Sequence, residues 1–75
     1  MATEQVLDAR GLSCPLPVLK ARKRLLAMAP GERLRVLATD PGSVKDFQAF
    51  ARQTGNELVT SGESAGVYEY VLKRK

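Results

Sequence analysis

Glycine and proline cut this chain into short pieces, and the lengths between them limit the fold more than any other feature. Gly11 ends a first apolar run, and Pro30 with Gly31 stops a second. Asp40, Pro41 and Gly42 form a turn, Gly55 closes a helical stretch, and Gly62 to Gly66 is rich in turn residues. Each piece has room for one element. Gln5 to Ala9 (QVLDA) suits a strand of about five residues, with Asp8 near its C-terminal end. Pro15 to Met28 repeats at helical spacing: Val18, Leu19, Ala21, Leu25, Leu26 and Met28 share one arc, and Lys20, Lys23 and Arg24 lie on the other. Arg22 falls inside the apolar arc. Its stem can lie along the core edge with the guanidinium in water, or the residue can serve a partner; the pattern supports both.

In Glu32 to Thr39, Leu34, Val36 and Ala38 alternate with Arg33, Arg35 and Leu37, which gives a second strand with one apolar face. Ser43 followed three residues later by Asp46 is a capping-box-like start for a second helix, which Val44, Phe47, Phe50, Ala51 and Thr54 continue and Gly55 caps. Phe47 and Phe50 are core aromatics in this reading. Glu57 to Ser61 and Val67 to Lys73 form a closing hairpin, whose alternation leaves open which set of residues faces inward. Lys73, Arg74 and Lys75 are expected to be a solvated, mobile end.

The order is therefore βαβαββ. Strands joined through single helices run parallel, so the expected fold is α/β: a two-layer α/β sandwich, a four-stranded mixed sheet with both helices on one face and the other face open to solvent. At 75 residues the chain is expected to form one domain, 1–75, with a thin core. Asp8 and Asp40 both end strands at the carboxyl edge of the sheet, the edge at which open α/β sheets bind ligands.

Composition narrows the chemistry. A single cysteine and no histidine rule out a cysteine-based metal cage and the usual metal ligand and base, and nothing calls for a cofactor. No apolar run approaches membrane-spanning length, and MATEQVLDAR has neither a basic start nor an apolar stretch, so the chain is expected to be cytoplasmic and away from membranes. Twelve Lys and Arg against eight Asp and Glu leave a net charge of +4, which favours acidic partners.

The one cysteine, Cys14, stands between Ser13 and Pro15, with Pro17 following. A proline suits the first helical position, which places Cys14 at the N-cap, facing the positive end of the helix dipole that favours a thiolate. With prolines at 15 and 17, the amides of Cys14 and Leu16 are the first-turn donors left to a sulfur anion. A lone cysteine is otherwise a small buried hydrophobe; a loop-to-helix junction between polar Ser13 and a proline is a poor place for that role. Asp8 and Asp40, if close, would oppose ionisation as like charges, and they are expected to shape the loop around Cys14. Lys20, Arg22, Lys23 and Arg24 can offset that charge and guide a partner.

Leu7-Asp8, Gly11-Leu12, then Cys14-Pro15-Leu16-Pro17 at a helix start and Asp40-Pro41 after the second strand together resemble the TusA-like, or SirA-like, family of small sulfur carriers over essentially the whole chain. The resemblance implies a cysteine that accepts sulfane sulfur as a persulfide, making the chain a sulfurtransferase or carrier. It implies a sulfur donor protein, such as a cysteine desulfurase or a rhodanese-like protein, and an acceptor sulfur-relay protein. The routes implied are tRNA thiolation, molybdenum cofactor assembly and sulfur oxidation. Leu16 stands where some members carry an acidic residue. One thiol suits this chemistry, because a second nearby would expel the bound sulfur as sulfide and form a disulfide. The alternative is a non-catalytic RNA-binding or regulatory module, supported by the basic balance and by tyrosines on a possible open sheet face. Only two Tyr, no Trp and no run of aromatics argue against direct nucleic-acid binding.

Overall fold

The computed structural model describes residues 4–75; Met1 to Thr3, the start of the segment expected to carry no leader, lie outside these. Its elements are β1 (Glu4–Ala9), α1 (Leu16–Leu26), β2 (Arg33–Ala38), α2 (Ser43–Thr54), β3 (Glu57–Ser64) and β4 (Val67–Lys73). The sheet order is β1-β2-β4-β3. β1 pairs parallel with β2, while β4 enters between β2 and β3 antiparallel to both. The expected mixed sheet of four strands is therefore present, with β2 and β3 parallel but separated by the last strand.

Register decides which side chains share a face. Leu7, Val36 and Tyr70 form one cross-strand row, and Ala9, Ala38 and Tyr68 the next. These rows face the helices, and Leu34, Val36, Ala38, Tyr70 and Leu72 are completely buried beneath them. α1 packs on β1 and β2, α2 on β3 and β4, and the helices touch. Phe47 seals the centre: its ring stacks on Tyr70 with centroids 4.4 Å apart and meets Phe50 edge-on at 6.5 Å. The hairpin parity is thus settled with both tyrosines inward. The opposite face carries Arg35, paired to Glu4 at 2.6 Å and to Glu69 at 2.5 Å, and it bears no tyrosine platform.

Four local expectations change. α1 begins at Leu16 with Pro15 as its N-cap, so Cys14 lies one residue before the cap. The helix ends at Leu26, short of Met28, and its buried stripe is Pro17, Ala21 and Leu25, narrower than the apolar arc, because the sheet covers one side only; Leu19 and Leu26 are 51% and 66% exposed, and Met28 is buried just past the helix end. β3 continues to Ser64, and the hairpin closes on Ala65 and Gly66, both at positive φ, the two-residue turn whose twist matches the strands. The C-terminus is tied down. The Arg74 backbone pairs with Gly31 and Glu32, its guanidinium donates to the Leu25 carbonyl at 2.9 Å in the last turn of α1, and the Lys75 amide donates to Asn56 Oδ1 at 2.8 Å.

The capping box at α2 also changes. Ser43 is the first helical residue and only 1% exposed, and its hydroxyl bonds the Tyr70 hydroxyl at 2.7 Å inside the core. Gly42 takes the N-cap place, and no side chain caps the helix. Asp46 is thereby left free to turn toward a neighbouring loop.

Candidate functional site

Three segments converge on Cys14 because both helices start at the carboxyl edge of the sheet. The β1–α1 loop carries the cysteine, and its approach is fixed by Gly11, which adopts φ +81° and donates its amide to Thr39 Oγ1 at 2.9 Å. The β2–α2 turn supplies Asp40. One carboxylate oxygen accepts the Cys14 amide at 2.5 Å and the other accepts the Gly42 amide at 3.2 Å, so this one side chain joins the two loops. Gly42 packs directly on the cysteine: a side chain there would sit 3.6 Å from Cys14 Cβ. From the first turn of α2, Asp46 accepts a hydrogen bond from Cys14 Sγ.

Neither amide proposed for the sulfur is available to it. The Cys14 amide serves Asp40, and the Leu16 amide donates to the Ser13 carbonyl at 2.9 Å. What the exposed thiol meets is negative charge. The hydrogen bond to Asp46 pushes the Cys14 pKa above its ordinary value, aided by desolvation and by the charges of Asp46 and Asp40. Two carboxylates therefore outweigh a helix end whose amides are already used. Beneath them the Tyr70 hydroxyl is also pushed up, mainly by burial, and stays protonated at neutral pH.

Asp8 takes a different course. Arg10 grips both of its oxygens, at 2.8 and 2.9 Å, and these bonds hold its carboxyl down at about 2. Asp8 is absent from the groups that raise the Cys14 pKa. Pro15 and Pro17 flank Leu16 at the helix start. The four cations of α1 do not form one patch. Lys20, Lys23 and Arg24 border a shallow depression with Leu7 on the β1 side, and Arg24 reaches Gln5 Oε1 at 3.4 Å. Arg22 instead borders a cleft with Phe50, Arg74 and Lys75 on the α2 side. Asp46 is the group that sequence reasoning passed over, since its spacing from Ser43 reads as a cap. The signal that finds it is topological: two helices on one face must both begin at the edge where Cys14 lies. Among the described residues no cluster of potential ligands could hold a metal ion, and no helix is long and apolar enough to cross a membrane.

The family model described as Sulfurtransferase TusA matches residues 5–74. The chain belongs to the TusA family. It is 59% identical over 71 residues to the sulfur carrier protein TusA of Allochromatium vinosum, covering 95% of this chain and 93% of that one. It is 40% identical over 74 residues to the protein of the same name from Pseudomonas aeruginosa PAO1, covering 99% and 94% of the two. The crystal structure of a SirA-like protein from Desulfitobacterium hafniense superposes with a TM-score of 0.82 at 27% identity, over 95% of this chain and 96% of that one. The two-layer α/β sandwich is thus the architecture of a TusA family member.

A pH prediction arises from the thiol of this TusA family chain. Its rate of alkylation by iodoacetamide is expected to climb with pH to a midpoint above that of an ordinary thiol, and to return to the ordinary midpoint once urea unfolds the chain. Because the folded state holds this proton more firmly, the associated stability is complete below the unfolded thiol's pKa and is lost as pH rises through the folded one. A folded midpoint at or below the ordinary value would mean that the helix end wins after all.

Proposed function

We propose that this chain is a cytoplasmic sulfur carrier that accepts sulfane sulfur as a persulfide on Cys14 and relays it to an acceptor protein. The observation that carries the reading is the thiol itself: Cys14 is the chain's only cysteine and is exposed, on a loop anchored by Asp40. In acceptance, Cys14 Sγ attacks the outer sulfur of a donor persulfide. A new S–S bond forms, the donor's S–S bond breaks, and the electron pair leaves on the donor's inner sulfur as a thiolate. In delivery an acceptor thiolate attacks the outer sulfur and Cys14 Sγ is the leaving group. With no second thiol in the chain, the bound sulfur cannot be expelled internally as sulfide.

The donor is a persulfide-bearing protein such as a cysteine desulfurase or a rhodanese-like protein, and the acceptor is a further thiol of a sulfur relay. The routes that the family resemblance implies are tRNA thiolation, molybdenum cofactor assembly and oxidation of reduced sulfur. Such a relay needs a compartment that keeps Cys14 reduced, which suits the cytoplasm. The RNA-binding alternative loses its main support, since Tyr68 and Tyr70 pack into the core and leave no stacking platform on the open face.

The test is intact-protein mass spectrometry after incubation with a cysteine desulfurase and cysteine, and separately with a rhodanese and thiosulfate. A gain of one or more sulfur atoms, removed by reductant, is expected. No gain from either donor, with the thiol still open to alkylation, would sink the reading.

A further inference from the structure

Resting on that reading, we propose that Asp46 is a catalytic residue of the carrier: it takes the Cys14 Sγ proton as the sulfur attacks a donor persulfide and returns it when the sulfur leaves. The motive is geometric. Among the described residues, Asp46 is the one group hydrogen-bonded to Cys14 Sγ, and it reaches the thiol from a separate element, α2. Histidine, the common base, is absent from the chain.

Acceptance starts from a Cys14 thiol, an Asp46 carboxylate and a donor persulfide carrying its outer S–H. The bond between Sγ and the outer sulfur forms as the donor S–S bond breaks. The Sγ proton passes to Asp46 Oδ2, and the products are a Cys14 persulfide, an Asp46 carboxylic acid and a donor thiolate. The Cys14 sulfur is oxidised to the persulfide level and the donor's inner sulfur is reduced to thiolate, with no outside oxidant. Delivery reverses this order: the Asp46 acid protonates Sγ as the acceptor thiolate carries off the outer sulfur. Without that proton the leaving group would be a thiolate beside two carboxylates, the form this site opposes.

The arrangement also explains how a site hostile to a free thiolate can still transfer sulfur. A thiol held neutral reacts slowly with indiscriminate electrophiles, because the thiolate is the nucleophile and its fraction is small. A positioned carboxylate removes the proton only as the S–S bond forms, when the attacking sulfur becomes strongly acidic. The charged groups around Sγ are few. Asp46 comes from α2 and Asp40 from the β2–α2 turn. These two are the charges that act on the thiol; Asp8 of β1 is bound to Arg10, and Tyr70 of β4 is an uncharged hydroxyl bonded to Ser43. The first turn of α1, from Leu16 to Leu19, carries no charge.

The experiment compares Asp46→Asn with Asp40→Asn on two rates at pH 7: alkylation by iodoacetamide and sulfur acceptance from cysteine persulfide, read by quenched mass spectrometry. Either variant removes one negative charge beside the thiol, but only Asp46→Asn removes the proton acceptor. Asp46→Asn is expected to alkylate several-fold faster and to accept sulfur about 100-fold more slowly, recovering as pH rises and solvent ionises the thiol. Asp40→Asn keeps one oxygen, for the Cys14 amide, gives up the 3.2 Å bond to the Gly42 amide, and is expected to speed both rates. The inference is overturned if Asp46→Asn accepts sulfur as fast as wild type or faster, or if Asp40→Asn slows acceptance equally. Should Asp46→Asn lose its circular dichroism signature, Asp46→Ser makes the same comparison. A wild-type chain that takes no sulfur fails the reading underneath, whereas a loaded wild type beside an equally fast Asp46→Asn fails this inference alone.

Discussion

Cys14→Ser is expected to abolish persulfide formation completely while leaving the fold standing. The loss is total because a serine hydroxyl neither ionises near neutral pH nor forms an oxygen–sulfur link that survives as a carrier state. The fold survives because the side chain is exposed and takes no part in the buried core. The bond that ties the loop is made by the backbone amide of residue 14 to Asp40, and serine keeps that amide. Serine also keeps a donor that can turn toward Asp46. The stability change should stay within about 0.5 kcal/mol, as for surface substitutions. Mass spectrometry after treatment with a persulfide donor and a thermal melt followed by circular dichroism read the two halves. Sulfur gained by the serine variant would place the acceptor elsewhere. A melt lowered by many degrees would show that the thiol is a structural group.

The element order and the one-sided helices were legible in the sequence because they follow from breakers and periodicity, which are local. The inward tyrosines were not, because Val67 to Lys73 alternates two sets of comparable polarity; only the antiparallel register with β2, which sets Tyr70 opposite Val36, chooses between them. The tail looked mobile because its charge suggests solvation, yet the Arg74 guanidinium donates to the Leu25 carbonyl in the last turn of α1 and its backbone pairs with Gly31 and Glu32. At the site, Cys14 and Asp40 could be singled out from turn chemistry and strand ends. Asp46 could not, since its partner lies 32 residues away and its spacing from Ser43 satisfies a local rule that the fold does not use. The amides of Cys14 and Leu16 look free in the sequence for a similar reason, yet both are taken by oxygens that the folded loop brings in.

Phe47→Ala should be the most destabilising single change in the core, costing about 3–5 kcal/mol in a urea titration, with a lower midpoint and an unchanged slope. Phe47 is fully buried, so its removal empties the space between α2 and the sheet and deprives both Tyr70 and Phe50 of an aromatic partner. A domain of this size has about 4–11 kcal/mol to lose, so the variant would sit near its unfolding threshold at room temperature. Phe47→Leu refills most of the volume and should cost about 1–2 kcal/mol. The consequence reaches the site through one peptide bond. Asp46 precedes Phe47, and the seating of that ring fixes the first turn of α2, which aims the carboxylate at Cys14. In Phe47→Leu, which remains folded, a loosened turn should weaken the contact with Sγ, so alkylation at pH 8 should quicken although no charge has been removed. An alkylation rate equal to wild type in that variant would mean that Asp46 is positioned by its loop neighbours and not by the core.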